Sequence, residues 1–256
     1  MNNARAKHKI GANTMTDFLK IQSAQGKTLK VLVVMAADAE YGNALKSIGV
    51  KPSIIGVGPI ESAINMTILL KDLENSNNLP DLVVNLGSAG SDQHDQGTIL
   101  QASSISYRDM DASPFGFEKG KTPFSTLPAK LPIDIQIPDV GTTSLSTGAT
   151  VISNGAENEY DHLKEMTAEM EAYAIDTSCI KLGIPMIKIL GISDGKQALE
   201  GKETDWTQHL SNIDKGLANA VSSLKEALES KNTFKLSLPT ALTQSPTTPT
   251  IENTPS

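Results

Sequence analysis

Residues Leu29 to Ala36 read LKVLVVMA, a run of β-favouring side chains with one charge, Lys30. Beyond that lysine no polar residue alternates with the apolar ones, so the run reads as a strand covered on both faces, the kind found in parallel sheets. Outward from it the pattern alternates. Ser53 to Val57 is a second strand, running into Gly56-Val57-Gly58-Pro59. Ile60 to Glu74 then has helical spacing, with the glycines and Pro59 supplying helix-start chemistry. Asp81 to Leu86 (DLVVNL) is a third strand, opening into Gly87-Ser88-Ala89-Gly90. Thr98 to Ser104 is a fourth, and Thr150 to Ser153 belongs to a fifth. Lys164 to Leu182 has helical spacing, with Met166, Met170, Tyr173, Ala174 and Ile180 sharing a face. Pro185 to Ile192 (PMIKILGI) is the last strand, and Asp214 to Ser230 the last helix. Strands alternating with helices predict an α/β fold with a mainly parallel central sheet and helices on both faces.

The ends differ from this middle. Residues 1–28 are polar and weakly patterned, with a short helix expected over Thr16 to Ser23. Residues 231–256 are rich in Thr, Pro and Ser, a composition that buries too little to offset ordering entropy, and a disordered tail is expected there. The body of the chain is therefore residues 29–230.

Composition excludes several functions. The 256 residues carry a net charge of -7, which disfavours nucleic acid and anionic membranes as partners. Cys179 is the lone cysteine and the four histidines are scattered without metal spacing, so neither a metal nor another cofactor is expected. No run reaches the ~20 apolar residues that span a bilayer, no secretory leader is visible, and the cytoplasm is the expected compartment. Arg5 and Arg108 are the two arginines, few for a protein that grips phosphate.

In open α/β sheets ligands sit beyond the carboxyl ends of the strands. Glu40 follows the first strand, Ser88 the third and Asp194 the last. Singly, each has a plainer reading. Glu40 reads equally as a solvated loop acid, Glu169-Met170-Glu171 as a wet helix face, and Asp194 as a cap or turn residue. Gly56-Val57-Gly58 lacks the third glycine of a dinucleotide fingerprint.

Taken in order, Glu40, Gly56-Val57-Gly58, Asn85-Leu86-Gly87-Ser88-Ala89-Gly90, Glu169-Met170-Glu171 and Ile192-Ser193-Asp194 resemble the purine/uridine phosphorylase superfamily. Within it they look most like the bacterial 5'-methylthioadenosine/S-adenosylhomocysteine nucleosidases. Tyr107 to Gly120 (YRDMDASPFGFEKG) adds to the likeness, which spans roughly residues 29 to 228. The resemblance implies a nucleoside phosphorylase-like three-layer sandwich with a mixed, mainly parallel sheet. It also implies roles. Asp194 resembles the general acid that protonates adenine N7, and Glu40 the residue that positions the attacking water. Glu171 resembles the acid that holds the ribose hydroxyls, with Met170 packed on the sugar. Ser88, Ser193 and Gly58 stand at supporting positions, and Val151 and Ile152 where the family binds adenine.

The chemistry fits those residue types. Cleaving an N-glycosidic bond passes through an oxocarbenium-like sugar, which nearby carboxylates stabilise. Adenine leaves poorly as an anion, so a positioned acid lowers the barrier. Such an acid must hold its proton near neutral pH, which burial and a neighbouring carboxylate favour.

Three readings stay open: hydrolysis, phosphorolysis by the same fold, and a nucleoside-binding relative without turnover. Phosphorylases of the superfamily place Arg in the phosphate pocket, whereas Asn85-Leu86 and Ala36-Ala37-Asp38-Ala39-Glu40 contain none. The segments Glu40 to Gly56 and Lys121 to Ser146 are shorter than in the family, and Val151 replaces an aromatic residue that stacks on adenine there. The resemblance further implies a homodimer, with Phe115 to Phe117 and Pro123 to Phe124 as candidate contacts, and Trp206 as a candidate closing residue of the 5'-thio pocket.

Overall fold

A computed structural model of the chain describes residues 16–151, 167–194, 209–230 and 235–243. Strand β1 (Leu19–Gln22) runs antiparallel to β2 (Thr28–Met35). After β2 come a 3-10 turn (Asp38–Glu40), helix α1 (Asn43–Ser47) and the two-residue strand β3 (Ser53–Ile54). Helix α2 (Pro59–Asn75) leads to β4 (Leu82–Gly90) and β5 (Ile99–Tyr107). Then follow β6 (Lys130–Pro132), β7 (Gly141–Thr147) and β8 (Thr167–Glu169). Helix α3 (Ala172–Ile180), β9 (Met186–Asp194), α4 (Leu210–Ser230) and the short α5 (Thr240–Thr243) complete the described chain.

The sheet is mixed. β2 pairs in parallel with β3 and β4, β4 with β9, β5 with β7, and β7 with β8. β5 is antiparallel to both β6 and β9. A single antiparallel bridge, Gly90 to Ala168, joins β8 back to β4. Strands β4, β9, β5, β7 and β8 thus close on themselves, and the middle of the sheet is a ring rather than an open layer.

Period-two geometry explains the unbroken apolar runs. In β2, Leu32 and Val34 enter one core cluster while Val31, Val33 and Met35 enter the other. In β9, Met186, Leu190 and Ile192 face the first cluster, and Ile187 and Ile189 the second. Helices α2 and α3 cover the first through Met66, Leu70, Leu73, Ile175 and Cys179. Helix α4 covers the second through Ile213, Leu217, Val221, Leu224 and Leu228, spaced at the three- and four-residue intervals of an amphipathic helix. α4 approaches β9 closely: a Cβ at Gly191 would lie 2.5 Å from Ile213.

Several expectations need correction. Thr16 to Ser23 forms no helix; Leu19–Gln22 is a strand whose Ile21 packs in the second cluster, so the sheet begins ahead of residue 29. β4 continues through Gly87-Ser88-Ala89-Gly90, because each of these residues finds a partner in β9. The helix expected from Lys164 is a strand at Thr167–Glu169 and becomes helical at Ala172; residues 164–166 lie outside the described chain. The strand expected from Thr150 lies earlier, at Gly141–Thr147; Thr150 and Val151 are outside it, and residues 152–153 lie outside the described chain. Serine and threonine at five of the strand's seven positions hid it from a search for apolar runs. Within the expected C-terminal tail, Leu236 and Leu242 pack on the two core clusters.

Candidate active site

Glu40 stands on the 3-10 turn just past β2 and is buried. Its Oε1 accepts hydrogen bonds from the backbone N–H of Ser88 at 2.8 Å and from the Ser88 hydroxyl at 2.7 Å. Its Oε2 is buried and has no hydrogen-bond partner among the described residues. The turn is braced from behind. Asp214 of α4 accepts from the backbone N–H of Ala44 (2.7 Å) and of Leu45 (3.2 Å) in the first turn of α1. Gly42 makes room for it, since a Cβ there would lie 2.3 Å from the Asp214 carboxylate.

Glu171 is the residue on which α3 begins. Its Oε1 accepts from the backbone N–H of Gly58 at 2.8 Å, so the start of α2 meets the start of α3. Gly58 has φ +88°, a conformation that L side chains rarely adopt, which explains a glycine here. Burial pushes the Glu171 carboxyl up to about 7; the Glu169 charge adds to this and Glu40 adds less, while the Gly58 N–H and Lys188 act the other way. Glu40 and Glu171, 131 positions apart in the sequence, therefore feel each other's charge.

Asp194 ends β9. Its carbonyl accepts from the N–H of Ser91 at 2.7 Å, and its side chain lies against Gly90, 3.6–3.8 Å from where a Cβ would sit. Ser88, which holds Glu40, and Gly90, which faces Asp194, are two residues apart in β4, a rise of roughly 7 Å. Glu40 and Asp194 thus stand at the same end of the β4–β9 pair, where the strand-end rule places ligands, and Glu171 lies within electrostatic reach of Glu40. The Ser193 hydroxyl donates to the carbonyl of Ala89 at 3.3 Å. Met170 is half-buried between the two acids, whereas Val151 is 62% exposed. Ile152 and Trp206 lie outside the described residues.

Sequence reasoning missed the residues behind these. Glu169 is buried, and its Oε2 accepts from the backbone N–H groups of Glu171 and Ala172, both at 2.8 Å. It caps the first turn of α3, and the Thr147 hydroxyl donates to its other oxygen. Arg108 is 3% exposed and donates to the carbonyls of Ser146 (2.8 Å), Glu169 (2.9 Å) and Thr150. Lys188 is 2% exposed, 3.3 Å from Asn85 Oδ1 and 4.0 Å from Glu169 Oε2. The sequence held a signal for it: a lysine inside PMIKILGI, at the parity of Met186 and Leu190, has no route to solvent from a strand covered on both faces.

The fold is a ring-shaped mixed sheet with acids at its strand ends, and the profile of the phosphorylase superfamily matches residues 39–229. The chain belongs to that superfamily. Within it, the chain is similar to 5'-methylthioadenosine/S-adenosylhomocysteine nucleosidases. That of Geobacillus sp. is 29% identical over 194 residues, 68% of this chain and 79% of that protein. That of Staphylococcus saprophyticus is 28% identical over 156 residues, 54% of this chain; the match spans 65% of that protein's length. The nucleosidase structure from Colwellia psychrerythraea in complex with adenine superposes with a TM-score of 0.62 at 23% identity, covering 80% of this chain and 98% of that one. The Neisseria meningitidis nucleosidase in complex with methylthio-immucillin-A gives 0.60 at 21% identity, covering 75% and 98%. These structural likenesses establish the fold.

Proposed function

We propose that the chain hydrolyses the N-glycosidic bond of 5'-thio-substituted adenosines, methylthioadenosine and S-adenosylhomocysteine, to adenine and the thioribose. The observation that carries this reading is the Glu40 carboxylate. Two donors from Ser88 fix one oxygen, and the other is buried with its acceptor capacity unused among the described residues. That is the arrangement needed to orient a water. The water's oxygen bonds to C1' of the ribose while a proton passes to Glu40. The C1'–N9 bond breaks, its electron pair stays with adenine, and Asp194 gives its proton to N7. Glu171 accepts from the ribose hydroxyls and stabilises the positive sugar. Met170 packs on the sugar, the Gly58 N–H orients Glu171, and Ser88, Ser193, Val151 and Ile152 complete the pocket.

Arginine usage favours water over phosphate as the nucleophile. The Arg108 guanidinium is buried and bonded to three backbone carbonyls, so it does not serve a phosphate pocket. The relatives are methylthioadenosine/S-adenosylhomocysteine nucleosidases, two of them solved with adenine or an immucillin bound, which supports the same substrate class. A homodimer in the cytoplasm completes the proposal. Exposed Val57, Ile60, Ile64 and Ile68 on and beside α2, with Phe115 and Phe124, support an apolar contact next to the site. No helix among the described residues is long and apolar enough to cross a membrane.

The test is adenine release from methylthioadenosine, with phosphate present and absent. Equal rates with free thioribose are expected. A sugar phosphate as product would identify a phosphorylase, and nucleoside binding without turnover a silent paralogue. The Asp194→Asn variant is expected to lose ~10²–10⁴-fold in rate, the usual share of a positioned acid. Near-normal turnover in that variant would reject Asp194 as the acid.

A further inference from the structure

Among the largest fully buried side chains of the described residues, Lys188 alone carries a charge; the rest are Ile, Leu and Met. Burying an ammonium is costly unless it is paired. Its surroundings explain its presence. Register places Lys188 directly opposite Asn85 in the parallel β4–β9 ladder, so both side chains rise on the face that α2 and α3 cover. Nζ donates to Asn85 Oδ1 at 3.3 Å and lies 4.0 Å from Glu169 Oε2. Two residues along β4 and on the same face, Gly87 leaves open the space between the ammonium and the nucleophile-side acid. A Cβ there would lie 3.1 Å from Lys188 Nζ and 3.3 Å from Glu40 Oε1. The cation thus stands behind Glu40 and Glu169 at once, while the Glu40 oxygen opposite the Ser88 donors stays buried and unbonded among the described residues.

We propose that Lys188 is a positioning residue for hydrolysis: its buried ammonium gathers the Glu40, Glu169 and Glu171 carboxylates and keeps Glu40 correctly aimed at the attacking water. The inference rests on the nucleosidase reading above. Without this cation three buried carboxylates would repel one another at the strand ends. The lysine also draws the Glu171 carboxyl down, against the burial that pushes it up to about 7.

The experiment compares wild type, Lys188→Arg and Lys188→Met, with kcat, KM and the pH profile of kcat/KM measured on methylthioadenosine. Wild type inactive at every pH would sink the nucleosidase reading itself. With wild type active, Lys188→Met is expected to lose about 100-fold in kcat, the low end for a group that serves proton transfer. Its KM should change little, and its acid limb should move to higher pH. Lys188→Arg should return the limb toward wild type. A merely structural lysine would leave the limb of the folded Met variant in place, and that result overturns the proposal. If Lys188→Met does not fold, Lys188→Met/Glu169→Gln removes both buried charges and is compared with Glu169→Gln alone. A lower kcat in the double variant supports the role. Equal kcat in the two means that Lys188 serves only Glu169, and the inference falls.

Discussion

In the proposed site Glu171 would bind the ribose hydroxyls as an anion, yet its surroundings favour the proton: burial first, then the Glu169 charge. With the carboxyl pushed up to about 7, substrate binding should weaken as pH falls through that value. Glu171→Gln should flatten this acid limb and raise KM at pH 8; an unchanged limb in a folded variant would remove Glu171 from the ribose site. Asp176 in α3 presents the same physics without the chemistry. It is buried, its Oδ2 has no hydrogen-bond partner among the described residues, and burial raises its carboxyl from 3.8 to about 7. Between those values the folded chain keeps a proton that the unfolded chain has released. This contribution to stability is complete below pH 4 and disappears as pH rises past 7, at about 1.4 kcal/mol per unit of separation as an upper limit. Asp176→Asn should therefore raise the melting temperature above pH 7 and flatten its fall between pH 4 and 7. A variant melting lower than wild type at pH 8 would contradict this.

The elements carry each other's ends. Asp214, on α4, accepts the free N–H groups of α1, three residues beyond Glu40. Asp214→Ala leaves those donors without their acceptor and should cost about 1–3 kcal/mol. It should also slow turnover, because the turn bearing Glu40 loses its brace; chemical denaturation and kcat report the two effects separately. This pairing spans 170 positions and no local pattern announces it. The same holds elsewhere. Strands β2, β4 and β9 were legible because both faces are apolar, and Asp194 and Glu40 were legible from their place at strand ends. β7 was not, because its serines and threonines sit in a ring where hydrogen bonds replace apolar contact: Thr143 Oγ1 lies 2.8 Å from Thr167 Oγ1. Glu169 gives no sign of its role in the sequence, where Glu169-Met170-Glu171 reads as a wet helix face. In fact it caps α3 from a strand, and only the break at Met170 lets both acids turn inward.

At the scale of the molecule, α2 shows two faces. Met66, Leu70 and Leu73 are in the core, while Ile60, Ile64 and Ile68 stand one turn apart on the outside at 76, 51 and 42% exposure. If that outer stripe is covered by a second copy, sedimentation should give twice the chain mass, and Ile64→Lys should halve it. A wild-type monomer at micromolar concentration would refute the dimer. The stripe starts beside Gly58, so dissociation should also raise KM.

Arg108 grips Ser146, Glu169 and Thr150 by their carbonyl oxygens. Every amino acid supplies that oxygen, so evolution can rewrite the side chains at all three positions and leave the brace intact. Here lies one physical reason why a fold can keep its strand ends in place while sequences drift to 23% identity: the anchor reads the main chain, which does not mutate.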